Sequence, residues 1–393
     1  MLEESLRGVA AWMEAASAPD PESGYCHRIA TYYEDGRMSW LYPHSNTGET
    51  ISAWLDLAEL LDHSLYEEWA YAYARRIVDD PVKGVYRGVE KGAHGLAWYW
   101  TDGGSYSGLY AMRMPHHFLR IYEKTGHEPF LDVCSTIGQT LRERLLPSGL
   151  VDAGWSPQNG WSEGGTRCGS RFIYSLATFA TLYKITRDPA YEACYERSLE
   201  TLEQMQMPDG GFYQHYTLAA AEPLPKEGAI KPFFYSYILN ALEEAYGVFQ
   251  DERLLEIGRR LGWCLVRLYR YRNAIPYCIG EELLPADRVE ADTAIFSVSN
   301  GLLWLHSVTG VQEFLTTGRS IWLDAFGVQW RGTERPGWRG AILQGANPDL
   351  AREVAGVPVN RTHLRAESGR LGKCSLWEMV NHTFAARRMW DAY

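Results

Sequence analysis

Apolar residues recur at helical spacing along most of the chain, as at Ile51, Trp54, Leu55, Ala58 and Leu61, and again at Phe130, Val133, Ile137 and Leu141. This is the period of an amphipathic helix. The same short junction separates such stretches five times: LLDHSLYEE, KTGHEPFLD, ITRDPAYEA, VFQDERLLE and VTGVQEFLT. Aligning the junctions puts Tyr66, Phe130, Tyr191, Leu254 and Phe314 in one column, at intervals of 64, 61, 63 and 60 residues. The repeating unit is therefore a helix, a tight turn and a second helix. Helices are expected near 47–62 and 64–79, 105–125 and 128–146, 169–186 and 188–206, 231–249 and 251–270, and 292–309 and 311–326. One more near 2–17 opens the chain and one near 374–391 closes it.

Twelve helices in hairpins of this period predict an all-α (α/α)6 barrel: six helical hairpins in a closed toroid, formed by residues 1–393 as a single domain. The last helix would be an inner one and the first its outer partner. An open solenoid is the alternative, but its repeats run shorter and lack long linkers on one side only. Here one class of connection is two to four residues and the other is long, with an insertion at about 327–372. The long connections should converge over one end of the ring. They carry Trp40, Tyr42 and His44; Trp98, Tyr99, Trp100 and Asp102; Trp155, Trp161 and Glu163; Phe212, Tyr213, His215 and Tyr216; and Trp330, Trp338 and His363. Rings with apolar faces and polar edges on loops suit a sugar-binding cleft; loops packing on themselves would also use them.

The column also serves as a ruler for the inner helices. Seventeen residues before it stand Glu49, Arg113, Tyr174, Tyr237 and Ser297. Twenty before it stand Asn46, Tyr110, Arg171, Phe234 and Ala294, and fourteen before it Ser52, His116, Ala177, Asn240 and Asn300. Positions three apart share a helix face. A stripe buried in a dry core would be aliphatic, because unpaired polar groups are costly to bury. The expectation is a wet funnel along the ring axis.

Composition narrows the partners. A formal net charge of −11 argues against nucleic acid, whose phosphates call for a basic surface. Seven scattered cysteines without a C-x-x-C pair argue against a disulfide framework or a zinc site. No H-E-x-x-H or comparable spacing indicates a metal, and no cofactor is implied. The absence of a signal-like start or an 18-residue apolar run predicts a cytoplasmic chain without a membrane partner. Two N-x-T sequons, at Asn360 and Asn381, read as incidental in such a chain. The oligomeric state is not legible.

The repeat, the length and the loops resemble the six-hairpin glycosidase superfamily, which includes unsaturated glucuronyl and rhamnogalacturonyl hydrolases, with related toroids among polysaccharide lyases, uronyl C5-epimerases and N-acylglucosamine epimerases. The stretch Tyr42-Pro43-His44-Ser45-Asn46-Thr47-Gly48-Glu49-Thr50 looks like the entry to the first inner helix of epimerase-like toroids. Gly160-Trp161-Ser162-Glu163-Gly164-Gly165, followed by Ile173-Tyr174-Ser175, resembles a segment of glucuronyl hydrolases. The chain departs from those hydrolases where they carry an Asp at the start of the second inner helix: it offers Tyr110 and Arg113, with Asp102 in the preceding loop. The resemblance implies a carbohydrate substrate that contains uronic acid.

Hydrolysis needs an acid for the leaving oxygen and a second carboxylate to activate water or attack the sugar. Glu49, Asp102, Glu163 and Asp292 are available near the mouth, and Asp102 with Glu163 is the preferred pair, although either could cap a helix instead. Lyase or epimerase chemistry would use Arg113 and Arg171 to clamp a carboxylate, with Tyr174, Tyr237, His116 or His215 moving protons. Candidate catalytic residues are thus Asp102, Glu163, His116 and Tyr174. Candidate substrate-binding residues are His44, Asn46, Glu49, Trp98, Trp100, Arg113, Trp161, Arg171, His215, Tyr216, Tyr237 and Trp338. A toroid that binds sugar without catalysis would keep the aromatic residues and dispense with the rest.

Overall fold

The computed structural model describes residues 1–19, 26–32, 38–41, 47–79, 106–107, 112–152, 154–156, 160–161, 167–169, 172–224, 230–276, 295–327, 329, 339–344, 373–374 and 376–391. Within them lie twelve helices: α1 (Leu2–Ala16), α2 (Thr47–Leu60), α3 (Ser64–Asp79), α4 (Pro115–Thr125), α5 (Glu128–Glu143), α6 (Ile173–Thr186), α7 (Pro189–Met205), α8 (Phe233–Phe249), α9 (Glu252–Arg272), α10 (Val298–Thr309), α11 (Gln312–Gly327) and α12 (Leu376–Asp391). The even-numbered helices pack in sequence around the axis, and α12 closes the ring on α2. The odd-numbered helices lie outside them, with α1 on α12. The all-α (α/α)6 toroid read from the repeat is the observed architecture.

The five tight turns share one local chemistry. The residue after each first helix takes the left-handed conformation at Gly126, Arg187, Gln250 and Gly310, and its N–H closes on the carbonyl four residues back. Asp62 has the same positive φ in the first turn. The next residue begins the second helix, and Asp188 and Asp251 there accept from the N–H groups of Ala190 and Arg253 at 2.9 Å. Thr125, Thr186 and Thr309 each bond the carbonyl four residues earlier and receive an N–H from two residues later. Left-handed C-caps and Asp N-caps satisfy groups that a helix end leaves open. The column residues Tyr66, Phe130, Tyr191, Leu254 and Phe314 are all buried one turn further on.

Inner helices are enclosed on every side, so α6 is buried continuously from Ile173 to Leu182 and shows no polar stripe along its upper half. Outer helices such as α9 alternate buried leucines with exposed arginines. Neighbouring inner helices approach closely at Gly301 of α10, where an added Cβ would lie 2.4 Å from the Leu239 side chain of α8.

The long connections contain short antiparallel strands where loops were expected. Ser17–Pro19, Cys26–Tyr32 and Met38–Leu41 form one sheet. Tyr106–Ser107, before α4, pairs with Gly154–Ser156, before α6, which pairs with Gly160–Trp161. Arg167–Gly169, before α6, pairs with His215–Thr217, before α8. Leu343–Gln344 pairs with Lys373–Cys374. Because strands of successive connections hydrogen-bond to one another, those connections meet at a single end of the ring. The predicted helix near 105–125 is corrected by this pairing: Tyr106 and Ser107 are strand, and α4 begins at Pro115. Proline lacks the N–H that a preceding turn of helix would require, but suits the first helical position.

Candidate active site at the ring axis

Four of the five residues predicted to share one height, Glu49, Arg113, Tyr174 and Tyr237, meet there, and Glu378 of α12 stands at the same height. Glu49 lies in the first turn of α2, Tyr174 in that of α6 and Glu378 in that of α12; Tyr237 lies early in α8. Arg113 and Ser297 stand just ahead of α4 and α10. Arg113 Nε donates to Glu49 Oε1 at 2.6 Å, and its terminal nitrogen pairs with the same oxygen. The guanidinium carbon is 4.5 Å from the Tyr237 ring centroid and 5.4 Å from that of Tyr174. The two rings meet edge to face at 6.0 Å.

This layer is dry. Glu49 and Arg113 are each 2% exposed and Tyr174 1%. Burial raises the Glu49 carboxyl above its ordinary value although Arg113 pulls it down. Glu378 Oε2 accepts the Phe296 N–H at 3.1 Å, at the start of α10, while Oε1 has no partner. Burial outweighs those backbone bonds and pushes its pKa up to about 8, so Glu378 is protonated at neutral pH. Glu49 Oε2, the Tyr174 hydroxyl and Ser297 Oγ also lack partners. The expected wet funnel is therefore not found at this height. A long guanidinium crossing between two rings fills the space that shorter side chains would leave to water.

Below the layer the axis opens into a cavity of about 370 Å³, whose walls include Glu49, Ser52, His116, His117, Tyr174, Asn240, Glu244 and Asn300. His117 Nδ1 is 2.7 Å from Ser52 Oγ, and its Nε2 is 4.0 Å from Glu49 Oε1. Burial, aided by His116 and two arginines, holds His117 far below the ordinary histidine range. His116 lines the cavity; desolvation, then Arg120 and Lys184, lowers its pKa to about 4. Its Nε2 lies 3.8 Å from Glu244 Oε1. Glu244 is raised well above the usual carboxyl range by burial and by Glu49. An amide chain runs from Asn300 to Asn240 at 3.0 Å and on to Asn381 at 3.1 Å, and Arg388 Nε donates to Asn300 at 2.7 Å.

Of the residues singled out from sequence, Glu49, Arg113, Tyr174 and Tyr237 are brought together, and His116 lines the cavity beneath them. Tyr216 sits elsewhere: it is wholly buried, donates to the Met205 carbonyl at 3.1 Å and accepts the Tyr213 N–H at 2.8 Å. His215 is partly exposed in its strand and is not among the cavity walls. Asp102, Glu163, His44, Asn46, Trp98, Trp100, Arg171 and Trp338 lie outside the described residues, and Trp161 is described only as strand backbone. Sequence reasoning missed Glu378, His117 and Glu244. The junction ruler stops at α10, yet Asn381 bonds Asn240, so Glu378, three residues earlier, belongs to the Glu49 height. Glu244 falls seven residues after Tyr237, two turns down the same face. Asn381, one of the two sequons, is fully buried.

Six hairpins in a ring, with polar side chains gathered on its axis, define an (α/α)6 toroid. No protein-family model and no curated protein matches the sequence. Solved structures do share the fold. An unsaturated glucuronyl hydrolase from Bacillus sp. GL1, described as responsible for the degradation of glycosaminoglycan, superposes with a TM-score of 0.70 at 12% identity over 99% of this chain and 97% of that one. A D-mannose isomerase gives 0.66 at 12% identity, over 98% and 95% of the two chains. A cellobiose 2-epimerase from Spirochaeta thermophila gives 0.66 at 14% identity, over 100% and 98%. Among the described residues no helix is long and apolar enough to cross a membrane, and no cluster of His, Cys, Asp or Glu is placed to hold a metal ion.

Proposed function

We propose that the chain is a carbohydrate-active enzyme, a glycoside hydrolase acting on an oligosaccharide or polysaccharide that contains uronic acid. The observation that carries this reading is the gathering of carboxyl, phenol and guanidinium groups, several without a partner, at one height of the ring, at the end where the aromatic-rich connections pair with one another. The shared fold with hydrolases, an isomerase and an epimerase that act on sugars supports it. In this reading Asp102 and Glu163, carried by those connections, are the acid and the water-activating or attacking carboxylate. Glu49, Arg113 and Tyr237 form the floor against which the substrate rests. Glu378, protonated at neutral pH, is a further acid at the same height.

A second reading, elimination or epimerisation beside a uronate carboxylate, is favoured by the unpartnered Tyr174 hydroxyl next to Arg113, an arrangement that could move a proton while a cation holds the developing charge. One assay separates the readings. Incubation with uronic acid oligosaccharides is followed by the ultraviolet absorbance of unsaturated uronate and by reducing ends. Removal of an unsaturated terminal sugar lowers the absorbance, elimination raises it, and new reducing ends with constant absorbance mark ordinary hydrolysis. For the hydrolase, Glu163→Gln should lower the rate by roughly 10²–10⁴-fold. Binding without turnover of any member would leave a sugar-binding toroid.

A further inference from the structure

The cavity beneath the Arg113 layer has its own way out, and it is not toward the long connections. Its exposed lining residues are Lys184, Gly247 and Asp391, in the last turns of α6, α8 and α12. These turns lie at the end of the ring that holds the tight hairpin turns. The opposite end of the cavity stops at Glu49 and Tyr174, which are buried.

Its charges are already spent. Arg120 is paired with Asp56 at 2.6 Å, Arg387 with Glu59 at 2.7 Å, Lys184 with Glu123 at 2.6 Å, and Arg388 with Glu243. The charge of Glu49 is met by Arg113. Burial raises the Glu244 carboxyl well above its ordinary range and, with Arg120 and Lys184, lowers His116 to about 4. Among the described residues of the wall each lysine and arginine is already paired, so an anionic ligand, like a cationic one, would have to displace an existing pair. Hydrogen-bonding capacity, by contrast, is unspent. Glu49 Oε2 and the Tyr174 hydroxyl have no partner among the described residues, and His116 Nε2 and Glu244 Oε1, at 3.8 Å, stand beyond hydrogen-bond reach of each other. Phe384 and Val248 supply apolar wall between these groups. Buried polar groups without partners are costly, and a cavity this size would hold roughly a dozen waters at about 30 Å³ each.

We propose that this cavity is a second ligand site, entered from the tight-turn end, which takes an uncharged polyhydroxylated molecule the size of one sugar ring. Hydroxyl groups both donate and accept, matching a wall that offers acceptors at Glu49 and a mixture at Tyr174, His116 and Glu244, and the flat C–H face of a sugar suits the Phe384 ring. The proposal does not rest on the hydrolase reading, and its test separates the two.

The test is calorimetric titration of the full chain with glucose, galactose, mannose, glucuronate and glucosamine. One neutral hexose should bind saturably, with glucuronate and glucosamine about tenfold weaker or worse. At Gly247 an added Cβ meets nothing within 4 Å, so a side chain can be rooted there and Gly247→Trp adds bulk at the rim. It should abolish hexose binding without lowering Tm, and Glu244→Leu should weaken binding by about tenfold, the loss of one or two hydrogen bonds. Glu163→Gln should leave hexose affinity as it is, whatever it does to turnover. The proposal is overturned if no neutral hexose saturates, if glucuronate or glucosamine binds best, if folded Gly247→Trp still binds, or if Glu163→Gln removes the binding.

Discussion

The inner wall can be compared at two heights. At the upper one, Glu49, Arg113, Tyr174 and Tyr237 meet across the axis; one to two turns lower, the same helices leave a cavity edged by His116, Asn240 and Glu244. Both heights carry polar residues at helical spacing, so polarity alone does not set them apart. What separates them is one long side chain. Arg113 reaches across to Glu49 and lies against two phenol rings, and its length fills the axis there. At the lower height the arginines are drawn outward to Asp56, Glu59 and Glu243, and the centre is left unfilled. A polar stripe therefore says that an axis can hold water, and the reach of its largest cation decides whether it does.

The largest expected effect breaks this contrast at its centre. Arg113→Met strands the Glu49 carboxylate in a dry layer, and losing one member of a buried ion pair costs about 3–5 kcal/mol. Urea denaturation should show that loss, and Glu49→Gln in the same chain should recover most of it. A cost near zero would mean that water already reaches the layer. Next in size is Glu378. Its pKa is about 8 in the folded chain against an ordinary value of 4.5, so folding favours the protonated form. Its contribution to stability is therefore full below about pH 4.5 and is lost as pH rises through 8, on the order of 4 kcal/mol in all. Glu378→Gln keeps an acceptor for the Phe296 N–H and removes the titration. The variant should match the parent near pH 4 and be the more stable of the two above pH 8, as read by Tm across that range.

The contrast also marks what the sequence made legible. The tight-turn end was readable almost residue by residue, because its signals are local: Gly126 and Gly310 for the left-handed cap, Asp188 and Asp251 for the N-cap, and one apolar residue a turn later. The membership of the upper layer was readable too, since residues 17 before the column share a height. Its dryness was not, because the Arg113–Glu49 pair joins helices α2 and α4 across 64 positions. Glu378 escaped for a related reason: no tight turn follows α12, so no ruler reached it. The start of α4 was placed too early because the pattern around Tyr106 is apolar enough for helix, while its partner Trp155 lies in another connection. Non-local pairing decided that case, and period alone does not encode it.

The smallest effect tests the local half of the comparison. At four of the tight turns the first helix ends in the same left-handed residue, yet two use glycine, Gly126 at φ 65° and Gly310 at φ 71°, and two do not, Arg187 at φ 57° and Gln250 at φ 51°. A side chain in that conformation costs roughly 1–2 kcal/mol, and glycine avoids the cost while losing about 0.4–1 kcal/mol through the greater freedom of its unfolded chain. Gln250→Gly should then stabilise the chain by up to about 1 kcal/mol. Arg187→Gly should gain less, because the Arg187 guanidinium lies 5.5 Å from the centre of the Tyr183 ring and that contact is lost. Gly310→Ala should cost about 1 kcal/mol or more. Denaturation midpoints for the three variants would place them in that order if backbone conformation alone governs these turns. Destabilisation by Gln250→Gly would show instead that the Gln250 side chain contributes to the turn.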